Sequence, residues 1–359
     1  MKLTDALLHA WRNTLRRARN ASAIFNADGK VLRTFGEIEE CACDFEDDFE
    51  MFPPGRVIAI QIGNHEDWPS LLIACLRKQL VVLPLEESIS AQQRDTALRL
   101  CNAMAVVAAV PSGAAPKISR LRTADTTATW DRTPSLLKLT SGTTDAPRAI
   151  RFGSQQLLAD CNQICDTMGI SDADLNFGVI PISHSYGFSN LLTPLIVRGV
   201  PMVVSRDRTP RAVLADLART NATVFPGTPI FYQAFCDMHD VPALRQLRLC
   251  ISAGAPLSGA VAKKFFEKFK LSIHSFYGAS VVPEVSFRSD GVRSQVAVVP
   301  AVLSRDIFGA APPGTADTTA VASQSRNTAS RCWALIDSSS GRTTSCLRKQ
   351  AIKSDGQSS

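Results

Sequence analysis

The sequence predicts an α/β fold in which mainly parallel sheets are covered by helices, and three observations lead to this prediction. Short apolar runs recur through the first 280 residues at the length of buried strands. Segments with helical periodicity separate these runs, which is the order of repeated strand–helix–strand units. No internal repeat and no sustained heptad pattern is visible that would indicate another architecture.

The first strand–helix–strand unit lies near the start of the chain. Val57–Ile62 predicts a buried strand, Trp68–Arg77 a helix, and Leu80–Pro84 a second strand. The later segments repeat this alternation. They are predicted strands at Ala105–Val110, Val200–Ser205, Ala222–Phe225 and Leu247–Ala253, and predicted helices at Ser154–Met168, Pro210–Thr220 and Ser258–Phe269.

Composition divides the chain into three parts. Pro111–Pro134 is rich in Ser, Gly, Ala, Thr and charges, and it predicts an exposed connection between two α/β subdomains, 1–130 and 131–280. Beyond Ser280, long stretches rich in Ser, Thr, Ala and Arg lose both strand and helix periods. Such segments bury too little apolar surface to offset the entropy of ordering, so residues 281–359 are expected to be poorly ordered.

Overall composition narrows the functional classes. Hydrophobic residues make up 45% and charged residues 20% of the chain, which is typical of a soluble globular protein. The net charge of +6 is a mild excess that indicates a solvated face, so no nucleic-acid partner is expected. The first ten residues predict neither a secretory signal nor a membrane span, and we expect a cytoplasmic protein with no integral membrane association. The ten cysteines lack paired metal-ligand spacing, so no metal site is expected.

The segment 136–148 runs from an apolar strand into a loop of hydroxyls and glycine that ends at Arg148. Its candidate ligand-binding residues are Thr140, Ser141, Gly142, Thr143 and Thr144. Backbone N–H groups and hydroxyls in such a turn can surround an anion, and Arg148 can neutralise it. The spacing of a Walker loop is absent. From the residues alone, the segment is either a phosphate-binding loop or a polar turn.

Three later segments also carry candidate site residues. His184, in the segment Pro181–Phe188, is either a satisfied loop histidine or a site residue. Ser252–Leu257 is a turn between a predicted strand and a predicted helix. In the segment 274–280, Tyr277 is compatible with core packing or with stacking on a planar ligand. His274 is interpreted as a residue with a structural role.

The segment Thr140–Arg148 resembles the signature loop of the adenylate-forming superfamily, which includes acyl-CoA synthetases, luciferases and peptide-synthetase adenylation domains. The superfamily pattern is roughly TSGTTGxPK. Residues 140–144 match it, Asp145 replaces the second glycine, and Arg148 replaces the lysine, which exchanges a point charge for a planar fork. The three later segments follow in the order of the superfamily. The resemblance covers residues 21–280, since segments 33–39 and 57–85 are similar to its opening helix and first nucleotide-fold unit.

This resemblance implies the fold of the large N-terminal domain of adenylate-forming enzymes, with stacked, mainly parallel sheets flanked by helices. It also implies roles for individual residues. Arg148 and His184 are the implied catalytic residues, and the acyl group is implied to lie near His184, Tyr186 and the turn Phe225–Pro229. The residues implied to contact the nucleotide, besides the loop 140–144, are Gly254, Ala255, Pro256, Tyr277, Gly278 and Ser280.

The sequence departs from the superfamily pattern after Ser280. Position 281 is Val, where the superfamily has a glutamate that helps to hold Mg²⁺ on the ATP phosphates. Neither a ribose-binding TGD-type segment, nor a hinge, nor a mobile domain with a catalytic lysine is recognisable, and Asp337 and Lys349 lack the expected neighbours. We therefore expect the small C-terminal domain to be missing, through truncation or a frameshift.

A reading-frame change just after Ala279 or Ser280 is the preferred explanation. One choice of synonymous codons for Ala279–Val285, when the frame is shifted back by one base, encodes Glu-Cys-Gly-Ala-Gly-Gly. This shifted sequence supplies the missing glutamate and a glycine-rich continuation. The alternative is a diverged tail with a role of its own. The genomic sequence over codons 275–300 distinguishes the two, because stops in the other frame would exclude the frame change.

The reaction implied by the resemblance begins with attack of a carboxylate on the α-phosphorus of ATP, which gives an acyl-adenylate and pyrophosphate. In the commonest members a coenzyme A thioester follows. The implied cofactors are ATP, Mg²⁺ and coenzyme A, and the implied partners are a carboxylic acid and either CoA or a carrier protein. Without the mobile domain we expect weak or absent adenylation. The alternative is a catalytically inactive remnant that binds nucleotide or acyl groups.

Overall fold

The computed structural model describes residues 5–110, 115–121, 133–140, 148–277 and 286–288, with side chains for all of these except Thr140, Arg148, Tyr277 and residues 286–288. All of them except residues 258–260 belong to one of the two compact units of the chain. Apart from residues 286–288, the predicted tail 281–359 lies outside the described residues, and its loss of order stays a prediction.

Helices cover a large share of the described chain, and several begin at clear sequence signals. Thr34 caps α2 through a reciprocal pair, since Glu37 N donates to its hydroxyl at 3.2 Å and Thr34 N donates to the Glu37 carboxylate at 2.7 Å. The helices are α1 Ala6–Ala18, α2 Phe35–Asp48, α3 Trp68–Arg77, α4 Ala91–Leu100, α5 Ser154–Met168, α6 Ser185–Gly187, a π-helical turn Phe188–Leu192, α7 Thr193–Arg198, α8 Pro210–Thr220, α9 Pro229–Asp237 and α10 Gly259–Phe269.

The strands form two sheets in which the interior pairs are parallel and the outermost pairs are antiparallel. The strands of the eight-stranded sheet, in spatial order, are β14 Ser286–Arg288, β13 Ile273–Tyr277, β12 Leu249–Ser252, β11 Val224–Gly227, β9 Asn176–Gly178, β10 Met202–Val204, β1 Ser22–Asn26 and β2 Val31–Thr34. Those of the six-stranded sheet are β6 Lys117–Arg120, β5 Ala103–Ala108, β3 Val57–Gln61, β4 Val81–Pro84, β7 Leu136–Thr140 and β8 Arg148–Phe152.

The predicted fold class is confirmed, and the predicted elements lie close to the observed ones. Helices α3, α5 and α8 begin and end at the predicted residues, and the predicted strands agree with the observed strands to within two residues at each end. One prediction was wrong in part: Pro111–Pro134 contains β6, which pairs antiparallel with β5. Three of its four residues are exposed, so this edge strand has no apolar run to reveal it.

Sheet membership does not follow the predicted subdomains. Strand β1 precedes residue 130 but pairs with β10 of the later chain, and β2 pairs with β1 at the edge of the same sheet. Strands β7 and β8 follow residue 131 but complete the six-stranded sheet. The division at residue 130 stays a prediction. The crossing of the chain between the sheets brings loops from both halves of the sequence to neighbouring strand ends.

Candidate nucleotide and acyl site

The carboxyl ends of β9, β11, β12 and β13 lie at one edge of the eight-stranded sheet, because these strands run parallel to one another. In open α/β sheets, ligands bind in the crevice outside this edge. The segments that leave these strands include three that the sequence singled out, beginning after Gly178, Gly227 and Ser252. The topology therefore brings together residues that are distant in the sequence.

The turn after β12 exposes its backbone at this edge. Gly254, Ala255 and Pro256 are all exposed, and Gly254 has a φ of +86°, which a residue with a side chain rarely adopts. Ser252 pairs with Ser275 of β13, so the turn after β12 and the last residues of β13 lie at the same edge of the sheet. The predicted approach of the loop 140–148 to Gly254 and Tyr277 stays a prediction. Gly278 and Ser280 lie outside the described residues.

Tyr186 forms a wall beside the ends of β11 and β12. Its hydroxyl lies 3.2 Å from the carbonyl oxygens of both Gly227 and Ile251, and its single hydrogen serves these two acceptors. Its ring stacks on Phe276, with centroids 5.7 Å apart and planes inclined by 23°. Burial raises the pKa of Tyr186 well above its ordinary value. The phenol therefore stays neutral and donates to the strand ends.

His184 begins the segment that carries this tyrosine, and it pairs with a carboxylate of the other sheet. Its Nε2 lies 2.9 Å from Glu86 Oε2, and the Ser183 hydroxyl donates to the same oxygen at 2.8 Å. An Arg208 nitrogen lies 3.5 Å from Glu86 Oε1. The hydrogen bond from His184 is the largest of several effects that lower the pKa of Glu86 to about 2. Glu86 is therefore ionised at neutral pH.

Glu86 was missed by sequence reasoning, although one signal for it was present. It stands two residues after Pro84, at the carboxyl end of β4, which is where polar site residues collect in parallel sheets. Its partner His184 follows β9 in the other sheet, 98 positions later in the chain. Only the packing of the two sheets brings these side chains together, and a single sequence does not reveal that packing.

The Asn64 side chain holds the segment that leads to His184 through three hydrogen bonds. Its amide nitrogen donates to the carbonyl oxygens of Gly178 at 2.9 Å and Ile180 at 3.0 Å, while its amide oxygen accepts from the N–H of Ile182 at 2.9 Å. The side chain is buried, so these bonds occur without competition from solvent. The loop after β3 therefore determines the path of the loop after β9.

The predicted phosphate loop connects β7 and β8. These strands pair antiparallel, and Thr140 lies opposite Arg148, so the two ends of the loop are held together by the sheet. Ser141, Gly142, Thr143 and Thr144 lie outside the described residues, and only the backbones of Thr140 and Arg148 are described. The contacts of the loop with a nucleotide, and the catalytic role of Arg148, stay predictions.

Lys138 connects the base of this loop with the segment that follows His184. Its ammonium group lies 5.1 Å from the ring centroid of Phe152 and 5.3 Å from that of Phe188. The side chain is buried, and burial lowers the pKa of Lys138 to about 8. Sequence reasoning missed this residue as well. Its ammonium group is therefore a common contact of β8 and the π-helical turn.

Comparison with known proteins places the chain in a family. The family model described as AMP-binding enzyme matches residues 11–287, which is more than half of the chain. The chain belongs to the AMP-binding enzyme family.

Two relatives of this AMP-binding protein are a CoA synthase and a CoA ligase by name. The feruloyl-CoA synthase of an Amycolatopsis species is 22% identical over 249 residues, which are 65% of this chain and 51% of that protein. The long-chain-fatty-acid–CoA ligase of Bacillus subtilis is 26% identical over 156 residues, which are 42% of this chain and 28% of that protein. The AMP-binding chain thus spans about half the length of the feruloyl-CoA synthase.

Solved structures show the same fold. The N-terminal domain of FACL13 from Mycobacterium tuberculosis superposes with a TM-score of 0.68 at 14% identity, covering 79% of this chain and 78% of that one. ATP-bound MatB from Rhodopseudomonas palustris gives 0.66 at 18% identity, covering 80% of this chain and 63% of that one. The observed sheets of the AMP-binding protein therefore match the predicted fold of an adenylate-forming N-terminal domain.

In the described part of the AMP-binding chain, no group of three or more His, Cys, Asp or Glu side chains is arranged to hold a metal ion. Among the helices of that same part, none has both the length and the apolar character needed to span a bilayer.

Proposed function

We propose that this chain carries the nucleotide- and acyl-binding part of an ATP-dependent carboxylic acid ligase that forms an acyl-adenylate and pyrophosphate. One observation carries the proposal. Parallel strands bring His184, Tyr186 and the exposed turn at Gly254 to one edge of a sheet, as the resemblance to adenylate-forming enzymes requires. Membership of the AMP-binding family supports the same function.

The described residues fit a nucleotide at this edge. The exposed turn Gly254–Pro256 offers open backbone, and the positive φ of Gly254 turns that backbone without a side chain in the way. The hydroxyl-rich loop 141–147 joins two paired strands and can offer N–H groups and hydroxyls to phosphates. We assign adenine to the side of Gly254 and Tyr277, and the phosphates to the loop and Arg148.

The acyl group is assigned to the space beside His184 and Tyr186. The stacked rings of Tyr186 and Phe276 supply an apolar wall, and the charged and polar groups of Glu86 and His184 stand on the side of β4. A carboxylate bound beside this wall is the group that we assign to the attack on the α-phosphorus. Positioning and charge neutralisation then supply most of the rate.

ATP and a carboxylic acid are the proposed substrates, with coenzyme A or a carrier protein as the proposed acyl acceptor. Mg²⁺ is proposed as the ion on the ATP phosphates, where such ions are held by few protein ligands. The cytoplasm is the proposed location.

Pyrophosphate exchange tests the proposed reaction. The chain is incubated with ATP, Mg²⁺, labelled pyrophosphate and a panel of aromatic, short-chain and long-chain carboxylic acids. Acid-dependent incorporation of label into ATP is the expected result for a ligase. The absence of exchange with every acid, together with the absence of nucleotide binding, would contradict the proposal.

A second candidate function is binding of a nucleotide or acyl group without turnover. Two residues favour it: Val281 stands where the resemblance calls for a glutamate, and Asp145 adds a negative charge to the phosphate loop. Thermal shift with Mg-ATP and with acyl-adenylate analogues separates the two functions. Stabilisation without exchange favours the binding protein, and stabilisation with exchange favours the ligase.

A further inference from the structure

We propose that Glu86 is a positioning residue that keeps the hydrogen of the His184 ring on Nε2 and leaves Nδ1 as the nitrogen that can accept a hydrogen bond. The inference deepens the proposed function, since His184 is one of its assigned site residues. It concerns a residue that follows β4 of the six-stranded sheet and acts on a residue of the segment after β9.

The donor and acceptor chemistry of the pair fixes the position of the hydrogen. An ionised carboxylate can only accept hydrogen bonds, so a ring nitrogen 2.9 Å from Glu86 Oε2 must carry a hydrogen. The groups around the carboxylate agree with this assignment. Ser183 Oγ at 2.8 Å donates, and the Arg208 guanidinium at 3.5 Å carries only donors. In the neutral ring, Nδ1 is then the remaining acceptor.

The Glu86 end of the pair is held by the six-stranded sheet. The N–H of Leu85 donates to Ile60 O at 2.9 Å, which continues the pairing of β3 and β4 up to the residue before Glu86. The amide nitrogen of Gln61 donates to Glu86 O at 3.2 Å, and the N–H of Ile89 donates to the same oxygen at 3.3 Å. The backbone that presents the carboxylate is therefore fixed on both sides.

The His184 end is held by its own loop. The N–H of His184 donates to Pro181 O at 3.1 Å, and His184 O accepts from the N–H of Phe188 at 2.8 Å. Gly187 packs so closely against this loop that an added Cβ would lie 2.0 Å from Pro181 O. Asn64 fastens the loop from the other sheet. A pair supported at both ends is preorganised rather than formed when a ligand arrives.

The neighbouring hydroxyl does not change this assignment. Ser183 donates to Glu86 rather than to His184, so serine, histidine and glutamate do not form the relay of a nucleophilic hydrolase. The His184 side chain is 63% exposed, whereas that of Glu86 is 22% exposed. The histidine can therefore meet a ligand while its carboxylate partner stays behind it.

Nitrogen-15 NMR of the histidine rings tests the inference without any turnover. The chain has five histidines, so His184→Gln assigns the signals of residue 184 after labelling with ¹⁵N-histidine. At about pH 9, where model imidazoles are neutral, the unsubstituted chain is expected to show Nε2 protonated and Nδ1 unprotonated. Glu86→Ala is expected to lose this pattern and to give averaged shifts for both nitrogens.

Two further variants make the test specific. Glu86→Gln keeps the size of the side chain but can both donate and accept, so it is also expected to mix the two tautomers. Glu87→Gln removes the neighbouring, exposed carboxylate and is expected to leave the His184 signals unchanged. If the pattern is the same in the unsubstituted chain, Glu86→Ala and Glu86→Gln, or if Nδ1 carries the hydrogen in the unsubstituted chain, the inference is wrong.

Kinetics separate this inference from the proposed function. Where pyrophosphate exchange is measurable, Glu86→Gln is expected to lower kcat by up to about 100-fold, as for a misplaced site group, with little change in the KM for ATP. If no acid supports exchange and no nucleotide binds, but the NMR pattern shifts as expected, the proposed function fails and the positioning role stands. If exchange proceeds at the same rate in Glu86→Gln with unchanged histidine signals, the positioning role alone is overturned.

Discussion

Lys138 places an ammonium group inside the core, between β8, α5 and the π-helical turn. The rings of Phe152 and Phe188 face the charge, and Asp160 of α5 is the acidic group that favours its charged form. Burial raises the pKa of Asp160, whose carboxylate accepts a hydrogen bond from Ser189. Burial thus disfavours both charges, while the rings and the opposite charge offset part of the cost.

The buried charge of Lys138 should make stability depend on pH in the alkaline range. Its folded-state pKa of about 8 lies below the ordinary value of 10.5, so the ammonium destabilises the fold below pH 8, and this cost is lost as the pH rises towards 10.5. We expect Lys138→Met to raise the free energy of unfolding at pH 7 by roughly 1–3 kcal/mol, less what the lost ring contacts contributed. Urea unfolding at pH 7 and pH 10 measures the difference.

Lys263→Met is the matched control, because this lysine is exposed and pairs with Glu267 four residues away at 3.8 Å. We expect its effect to be small at both pH values. If Lys138→Met raises the free energy of unfolding by as much at pH 10 as at pH 7, the buried ammonium group is not the cause of the effect.

The left-handed backbone of Gly254 leads to a second prediction at the scale of single residues. Alanine at a φ of +86° costs about 1–2 kcal/mol, although its Cβ would meet Thr228 only at an ordinary 3.7 Å. We expect Gly254→Ala to distort the exposed turn and to reduce the thermal shift caused by Mg-ATP. Gly29→Ala, at a φ of +81° between β1 and β2, carries the same backbone cost away from β12. Equal losses of the shift in both variants would argue against nucleotide binding at Gly254.

At the scale of elements, the loops after β3 and β9 behave as one unit because Asn64 joins them. Asn64→Ala removes three hydrogen bonds and leaves two carbonyl groups and one N–H without this partner in a buried site. We expect a loss of about 3 kcal/mol in the free energy of unfolding. Hydrogen exchange should also show the amide of Ile182 losing its protection, which global destabilisation alone would not confine to this loop.

Asn13→Ala provides the comparison for Asn64→Ala. Asn13 lies on the surface side of α1, where its side chain pairs with Arg16 one turn away. We expect a change below about 0.5 kcal/mol there. If the two variants lose similar stability, the bridge between the loops does not have the assigned effect.

Much of the element order was predictable, because buried strands and amphipathic helices leave periodic apolar patterns. Trp68–Arg77 instead shows an almost unbroken apolar run, because nine of its ten residues are buried, and Pro69 marks its first turn. Edge strands such as β6 leave no such pattern, since one face and one side meet solvent. Sequence reasoning selected Gly254 because a motif stands there, and its role in the site stays a prediction. Glu86, Asn64 and Lys138 were not selected, because Glu86 and Asn64 have partners 98 and 118 positions away and Lys138 faces aromatic rings of other elements.

For the whole molecule, two side chains that join segments of the two sheets lie at the candidate site. Glu86 and Asn64 follow strands of the six-stranded sheet, and both bind the segment between β9 and α6. Family membership and the shared fold do not identify this pairing, which depends on the particular residues of this chain. The same groups that would border the ligand therefore also stabilise the junction of the sheets.

This junction should weaken in acid. The folded-state pKa of Glu86, about 2, lies below the ordinary value of 4.5, so its ionised form contributes stability above pH 4.5 that is lost as the pH falls towards 2. We expect Glu86→Gln to flatten the decline of stability between pH 4.5 and pH 2. Thermal unfolding as a function of pH measures this, with Glu87→Gln as the control. If thermal stability declines equally steeply between pH 4.5 and pH 2 in both variants, protonation of Glu86 is not the cause of the decline.

The π-helical turn Phe188–Leu192 sets the direction in which Tyr186 points. Each residue of a regular helix advances the chain by about 100° around the axis, and a π turn holds one residue more than the regular ladder. Removing one residue there would rotate Tyr186 by about 100° relative to α7 and take its phenol away from Gly227 and Ile251. A one-residue deletion in this turn would thus change the shape of the proposed acyl site, although none of the residues that line the site would be substituted.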